Sequence, residues 1–586
     1  GFLWVIWMGV SLAVKRGAVT VITFVSERGS PHWQRSVKTF SGVSLAILLA
    51  YAVVRSTEFA TGNEIGGVSS GSGWSFFYPV ASMAVGYYFI TLHYAQQVTS
   101  AGAEAVKRGL PAFRDMAGGL AGGLLIGAAV WATCWALLQF GVTPLIPLGV
   151  IFVSLTLAGT PIVFMLSIAG IIAMYSPDFL GLTFYPNPNP ITPFSTTQFA
   201  MGLSGGLELL TILMFLIVAE VMNASGMSRR LMSFAASAVG HFRGGMAYVA
   251  QLTSVFVSGI SGSAQADAAI MTPVLVPEME REGYRRDVAA AVVAGASIKG
   301  PIGPLSIMFI AYGAIVAGPA GASIRELLLS GVLAEMLLFL FQAVTVYVVV
   351  RRMDFLTTRP FAGAGHVARQ GVSALPIFLI PFVILGGIFS GLFTPVEASA
   401  IGVFVAGGLA FFWYSGMGPR QLIPTLVLAG IETGIVLLLV GDSAILGKAL
   451  FNASFGQDLN DFLTGITTNK YVFLLIVNLL LLAVGIFIEP LPALVILAPF
   501  LAPVAVLEFG IDPVHFGLIM VFNLVLALIH PPIGLVIFLV SSIAGVSVER
   551  LSIMILPWLG VSLLVLFLVT YLPSEAVLAL SNLLEK

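Results

Sequence analysis

Lys299-Gly300-Pro301-Ile302-Gly303 and His530-Pro531-Pro532-Ile533-Gly534 decide how this chain is read. Each sets Pro and Gly where an apolar helix should continue, and each closes the same longer layout. The first follows Pro273, Pro277 and Gly283-Tyr284; the second follows Pro499, Pro503 and Gly510-Ile511. Proline removes a backbone donor and glycine loosens the helix, so both segments predict interrupted helices. In a membrane protein, a matched pair of interrupted helices points to a substrate and ion site near the bilayer midplane.

The surroundings are those of a membrane protein. Of 586 residues 58% are hydrophobic and 9% charged, and the mean hydropathy is +1.03. Soluble domains carry roughly a quarter charged residues. Apolar runs recur nearly end to end, as in Val37 to Val54, Gly118 to Phe140, Leu327 to Val350 and Val472 to Ile488. Roughly fourteen to sixteen spans are expected by the length needed to cross the hydrocarbon. A net charge of -1 gives no argument for nucleic acid, and the single cysteine, Cys134, excludes an internal disulfide and a Cys-rich metal site. The chain opens on Gly1 rather than Met, inside an apolar run, so its start is expected to be missing.

Basic residues set the orientation. Lys15, Arg16, Arg28, Arg35 and Lys38, then Lys107, Arg108 and Arg114, flank a loop that carries Glu58 and Glu64 but no Lys or Arg. The positive-inside rule puts the basic segments in the cytoplasm and the Glu loop outside. Three parts are expected: a small helical module, 1–115; one connecting transmembrane helix, 116–142; and a large module, 143–586. The large module is read as two repeats, about 143–350 and 371–586, joined by a cytoplasmic linker, 351–370, that holds Arg351, Arg352, Arg359 and Arg369. The fold class is an all-α integral membrane protein, a multi-span helical transporter with inverted repeats, two re-entrant hairpins and broken helices.

Ser258-Gly259-Ile260-Ser261-Gly262-Ser263-Ala264-Gln265-Ala266-Asp267 marks the first hairpin. An apolar approach ends in small and polar residues before another short helix begins. Backbone exposed at that depth survives only where protein or a watery cavity meets it. Its carbonyls suit a hard cation, and helix N-terminal amides suit an anion. Asp267 either caps the second limb or takes part in ion coupling. The second hairpin is expected to begin at Glu489-Pro490-Leu491-Pro492, where Glu489 either caps a helix or shares in cation binding. Placing the two breaks in register sets Lys299 opposite His530. They serve together as anion contacts, or they pair internally, Lys299 with a buried carboxylate and His530 with a backbone carbonyl. Ser306, Asn523 and Tyr312 are weaker polar candidates on the same segments. No ATP-binding P-loop, His-Glu-xx-His or metal-spaced Cys/His set is present, so an enzyme is not expected.

The large module resembles the membrane M subunit of the TRAP transporters (tripartite ATP-independent periplasmic transporters). The residues that carry the likeness are Gly240-His241-Phe242-Arg243-Gly244-Gly245, Gly262-Ser263, Ala266-Asp267-Ala268-Ala269, Gly283-Tyr284 and Gly300-Pro301-Ile302. Gly386-Gly387-Ile388-Phe389-Ser390-Gly391, Thr394-Pro395-Val396-Glu397-Ala398, Glu489-Pro490, Gly510-Ile511-Asp512-Pro513 and Pro531-Pro532-Ile533-Gly534 continue it in order. The first module is similar to the small Q subunit by position and topology, with its N-terminal helix expected to be missing, and a connecting helix is what a fused Q-M chain requires. The resemblance implies a sodium-coupled importer of organic acids in the bacterial inner membrane. It further implies a soluble periplasmic substrate-binding protein (P subunit) that feeds it, and an elevator mechanism.

On the same grounds the Na+ candidates are Ser261, Gly262, Gly300, Glu489, Pro532 and Gly534, largely through backbone oxygens. The substrate candidates are Lys299, His530, Ser263, Asp267, Ser306 and Asn523. The chain departs from the family where the first break commonly reads Gly-x-Ile-Ile-Pro-Pro-Ser: Gly303 and Leu305 stand for the second isoleucine and second proline. In the second break His530 stands for a threonine. These departures favour an altered anion pocket, open to a sulfonate, a hydroxy acid, sialic acid or a four-carbon dicarboxylate. The Glu58/Glu64 loop is a candidate contact for the binding protein. A stand-alone dicarboxylate/sodium symporter and an ion channel are the competing expectations.

Overall fold

The computed structural model describes residues 208–578 apart from 317, 353–359, 453–454, 487 and 532–533, with a few helical positions between 125 and 166. The small module and the connecting helix expected at 116–142, with the orientation drawn from them, lie outside the described residues, apart from a few helical positions between 125 and 133. The chain divides into two compact units, 1–205 with 430–461, and 206–429 with 462–586. The second unit carries both Pro/Gly breaks.

Its first repeat runs through α1 (Glu208–Ser225), α2 (Met227–Val239), α3 (Gly245–Ser261), α4 (Ala264–Arg281), α5 (Arg286–Ser297), α6 (Ile307–Ile315) and α7 (Ile324–Arg351). The second runs through α8 (Ala364–Phe389) and α9 (Pro395–Gly408), then, after α10 (Pro419–Asn452) and α11 (Phe455–Ile466), which fall mostly in the first unit, through α12 (Lys470–Gly485), α13 (Pro490–Pro503), α14 (Pro513–Leu526), α15 (Leu535–Ala544), α16 (Val548–Met554), α17 (Leu556–Tyr571) and α18 (Ser574–Val577). Among the described residues six helices are long and apolar enough to cross a membrane, or up to eight if each bent pair is one span. α8 begins at Ala364, inside the segment expected to be linker.

Both interruptions form as the sequence predicts. α5 and α6 are separated by a 3-10 turn, Gly300–Ile302, and α14 and α15 by another, Ala527–Ile529, followed by an extended His530. The turns before the broken helices match as well. Gly283 and Gly510 both adopt positive φ, 99° and 62°, which a side chain rarely tolerates.

α3 and α4 form the first hairpin. The chain reverses at Gly262, and the Tyr284 hydroxyl donates to the Gly244 carbonyl at 3.0 Å, so the two limbs share one base. The second hairpin is α12 with α13, based on the stacked Phe473 and Phe509 rings, 4.1 Å apart. The expected start of this hairpin is therefore corrected: Glu489 stands at its tip, and its first limb is the helix that begins at Lys470. Val472 to Ile488 reads as a span by its apolar length, yet the helix stops at Gly485 because Pro490 starts the return limb.

Packing between the repeats is reciprocal. α6 lies against α13 of the other repeat as α15 lies against α4, and α7 meets α14 as α17 meets α5. α1 packs on α9, and α7 on α17, across the same relation. Lipid gives helices no hydrophobic reason to associate, so close contact rests on small residues and buried hydrogen bonds. At Gly295 a side chain would reach within 2.5 Å of the Trp558 indole, and at Gly517 within 2.6 Å of the Tyr312 ring.

The two ends of the unit differ in charge. Arg243, Arg281, Arg285, Arg286, Arg351, Arg352 and Arg550 gather at the base of the first hairpin and the ends of α7 and α15, among Glu278, Glu280, Glu282, Asp287 and Glu549. Contacts of Gly244 with Val350 and of Arg286 with the Ala544 carbonyl place these ends together. Glu326, Glu397, Glu508, Asp512 and Glu575 lie at the other end with Arg325 and Lys470, where Arg325 donates to the Phe389 carbonyl at 2.6 Å. By the positive-inside rule the arginine-rich end is cytoplasmic. The first hairpin then opens to the cytoplasm and the second to the opposite side, as inverted repeats require.

Candidate functional site

The tip of the first hairpin is seated on the first break. α3 ends at Ser261, Gly262 turns left-handed at φ 59°, and extended Ser263 caps α4 by accepting from the Ala266 amide at 3.3 Å. A Cβ on Gly262 would stand 2.5 Å from the Leu305 carbonyl oxygen, and one on Gly300 would stand 2.9 Å from the Ser263 carbonyl carbon. Only glycine permits backbone to approach this closely. The capping role weighed for Asp267 thus falls to Ser263.

Asp267 lies in the first turn of α4, wholly buried. Its Oδ1 accepts from the Ser261 hydroxyl, and its Oδ2 has no partner among the described residues. A Cβ on Gly300 would come within 3.0 Å of that oxygen. Ser261, Gly262, Ser263, Asp267 and Gly300 therefore converge, and an unpaired carboxylate oxygen is buried among them. Such an oxygen is costly unless a charge partner completes it.

Lys299 differs from the anion contact expected of it. It is completely buried, and its ammonium donates to Gln342 Oε1 at 2.5 Å, Gln251 Oε1 at 2.6 Å and the Ala296 carbonyl at 3.3 Å. An ammonium has three protons, and all three are taken. The internal pairing is thus with glutamine amides, although Asp267 and Glu335 lie near enough to interact electrostatically. Gln342 in turn donates to the Gly295 carbonyl at 2.9 Å and to Ser562 at 3.3 Å, so Lys299 braces α3, α5, α7 and α17. Glu335, also buried, accepts from the Ser258 hydroxyl, and a Cβ on Gly303 would press on both at 3.2 Å. Gly303, having no side chain, leaves room for this polar pair. Sequence reading missed Gln251, Gln342 and Glu335; a polar residue inside an apolar run was the available signal.

Around the second break, His530 is half-buried, its Nδ1 without a partner among the described residues. A Cβ on Gly534 would stand 2.6 Å from the Leu528 carbonyl oxygen, a close approach within the break segment itself. Pro532 lies outside the described residues. Glu489 precedes α13 and accepts from Gln265 Nε2 at 3.3 Å, which ties the second hairpin tip to the first. The weaker candidates are held by helix packing. Ser306 caps α6 through the Phe309 amide and donates to the Pro301 carbonyl. Asn523 donates to Asn478 Oδ1 at 2.6 Å, and Asn478 donates to Thr570 at 3.2 Å. Tyr312 is buried with its hydroxyl unpartnered among the described residues. Asn478, Asn523 and Thr570 brace α12, α14 and α17 much as Gln251, Lys299 and Gln342 brace α3, α5 and α7.

Among the described residues no group of three or more His, Cys, Asp or Glu could hold a metal ion. What the first tip offers is one carboxylate, hydroxyls and the backbone carbonyls of the turn, a donor set suited to a hard cation such as Na+.

Comparison with known proteins agrees with this architecture. Residues 149–574 match the family described as tripartite ATP-independent periplasmic transporter, DctM component, and residues 1–102 match the DctQ component. The chain is 34% identical over 394 residues to the C4-dicarboxylate TRAP transporter large permease protein DctM of Pseudomonas aeruginosa, covering 67% of this chain and 91% of that one. It is 33% identical over 410 residues to the sialic acid TRAP transporter large permease protein SiaM of Vibrio cholerae, covering 70% and 95%. It is also 33% identical over 380 residues to the isethionate TRAP transporter permease protein DctMQ of Oleidesulfovibrio alaskensis, covering 64% and 59%. Among solved structures the Alcanivorax borkumensis YdaH transporter superposes with a TM-score of 0.52 at 14% identity, over 70% of this chain and 97% of that one, a likeness of fold.

Proposed function

This chain belongs to the tripartite ATP-independent periplasmic transporters, with DctQ- and DctM-like parts in one multi-pass inner-membrane permease, and we propose that it imports an organic anion coupled to Na+. The anion, a carboxylate or sulfonate, is delivered by a periplasmic substrate-binding protein. The relatives named for C4-dicarboxylate, sialic acid and isethionate bracket that chemistry.

One observation carries the sodium reading: the unpartnered Asp267 Oδ2 at the seated hairpin tip. Asp267 and Glu335 bring two negative charges to a buried region that holds one ammonium, Lys299. When all three are ionised, one negative charge is in excess, and a monovalent cation balances it. Asp267, Ser261 and the backbone of Gly262, Ser263 and Gly300 would hold the ion. Bound there, Na+ supplies the missing positive charge and fastens the tip to the break. His530, with an unused ring nitrogen, is the side chain left to meet the anion once Lys299 is committed inward.

The two hairpins and broken helices are proposed to move as one body, an elevator. The reciprocal packing and the Gln265–Glu489 link support treating them so. Uptake of labelled candidate anions into proteoliposomes, with and without receptor and Na+ gradient, tests the proposal. Accumulation without a receptor indicates a stand-alone symporter, and unitary currents indicate a channel.

A further inference from the structure

Three guanidiniums converge on a depression of about 420 Å³ at the cytoplasmic end of the described unit, far from any role in the transport site. It is lined by Arg285, Arg286 and Asp287 at the start of α5, and by Gly545, Ser547 and Arg550 at the turn between α15 and α16. The Asp287 carboxylate, only 5% exposed, accepts from Arg285 Nη2 at 2.5 Å and from Arg550 Nε at 2.6 Å, both on Oδ2. One buried carboxylate oxygen thus holds two arginines from different repeats. Arg286 donates through Nε to the Ala544 carbonyl at 2.5 Å and lies 3.4 Å from Glu280.

These contacts leave donors over. Each guanidinium has five N–H groups, and among the described residues both Nη groups of Arg550, and Nε and Nη1 of Arg285, have no hydrogen-bond partner. The Arg285, Arg286 and Arg550 side chains are 54%, 50% and 61% exposed, so the unused donors reach solvent or headgroups. Three positive charges face Asp287 and Glu280, which leaves one in excess. Ordinary surface ion pairs would need neither the concavity nor a shared buried carboxylate. Apolar Ile543 and Ile553, 37% and 60% exposed, flank the same turn.

We propose that this depression binds the phosphodiester headgroup of an anionic phospholipid of the inner leaflet. A phosphodiester carries the single negative charge that balances the excess. Its two free oxygens match the forked donors of arginine. Acyl chains then lie on the exposed isoleucines, which a soluble phosphate would not use. Basic pockets on the cytoplasmic side of membrane proteins recognise headgroups in this way. An occupied headgroup would also tie α5 of one repeat to the α15–α16 turn of the other at this face.

The test is retention of phosphatidylglycerol against phosphatidylcholine by the full-length transporter, read by native mass spectrometry after delipidation and add-back. Wild type should retain at least fivefold more phosphatidylglycerol than phosphatidylcholine, and Arg286→Gln/Arg550→Gln should lose that preference. Arg550→Lys should lose part of it. If the double variant does not fold in phosphatidylcholine nanodiscs, Arg286→Gln alone carries the test, because Arg286 does not bind Asp287. Equal retention of the two lipids by wild type, or full preference in the variants, would overturn the proposal. So would stabilisation by inorganic phosphate that the variants lose while their lipid preference stays intact.

Discussion

Asp267 and Lys299 sit within one buried region and have opposite tasks. Asp267 leaves one carboxylate oxygen unpaired, whereas Lys299 spends every proton on protein oxygens. Asp267→Asn removes the charge and keeps the shape. It should raise the Na+ concentration for half-maximal uptake about tenfold or more, a loss of about 1.4 kcal/mol. Unchanged Na+ dependence would remove Asp267 from the ion site. Lys299→Met strands two glutamine oxygens and leaves both carboxylates unbalanced. Breaking such a buried arrangement costs about 3–5 kcal/mol, so the variant should melt at lower temperature. The surviving folded fraction should keep the wild-type apparent substrate constant; a raised constant with unchanged stability would return Lys299 to the anion site. His530→Ala should act the other way, raising the apparent substrate constant about tenfold to a hundredfold at unchanged melting temperature, as expected from the roughly 1.5–3 kcal/mol of a hydrogen bond to a charged group. Equal constants for variant and wild type would show that the anion lies elsewhere.

The broken helices and the first hairpin were legible because Pro, Gly and small polar residues interrupt apolar runs where nothing else would place them. Gly300, Pro301 and Gly303 announce the first break by themselves. The first limb of the second hairpin was not legible as such, since Lys470–Gly485 has the apolar length and purity of a span. Its true status depends on where α13 returns, a matter of tertiary packing. The bracing of Lys299 by Gln251 and Gln342 was hidden for a similar reason. These partners stand 48 and 43 residues away on other helices, and periodicity within one helix does not report them. At this scale the seating of the tip can be tested. Gly262→Ala places a methyl 2.5 Å from the Leu305 carbonyl and asks alanine to hold φ 59°. The strain is about 1–3 kcal/mol, so the hairpin should lose hydrogen-exchange protection around 258–267 and transport should fall. Wild-type protection there would mean that the tip is not held against the break.

For the whole molecule, charge asymmetry between the two ends, reciprocal packing of α6 on α13 and α15 on α4, and the Gln265–Glu489 link describe two inverted repeats that meet at their hairpin tips. Their antiparallel arrangement lets the Pro/Gly breaks recur in one sequence order while the two hairpin tips meet through Gln265 and Glu489. Each break carries its own polar feature: Gly303 admits the Ser258–Glu335 pair, and His530 brings a ring nitrogen with no partner among the described residues. The proposed transport cycle makes movement of this body depend on a cation that completes Asp267 and on an anion handed over from outside. The most direct test is uptake of radiolabelled C4-dicarboxylate, sialic acid and isethionate into proteoliposomes holding the full chain and its receptor, with an imposed Na+ gradient. At least one of these anions is predicted to accumulate above its external concentration only when receptor and inward Na+ gradient are both present. Accumulation that persists without Na+, or without the receptor, would contradict the account.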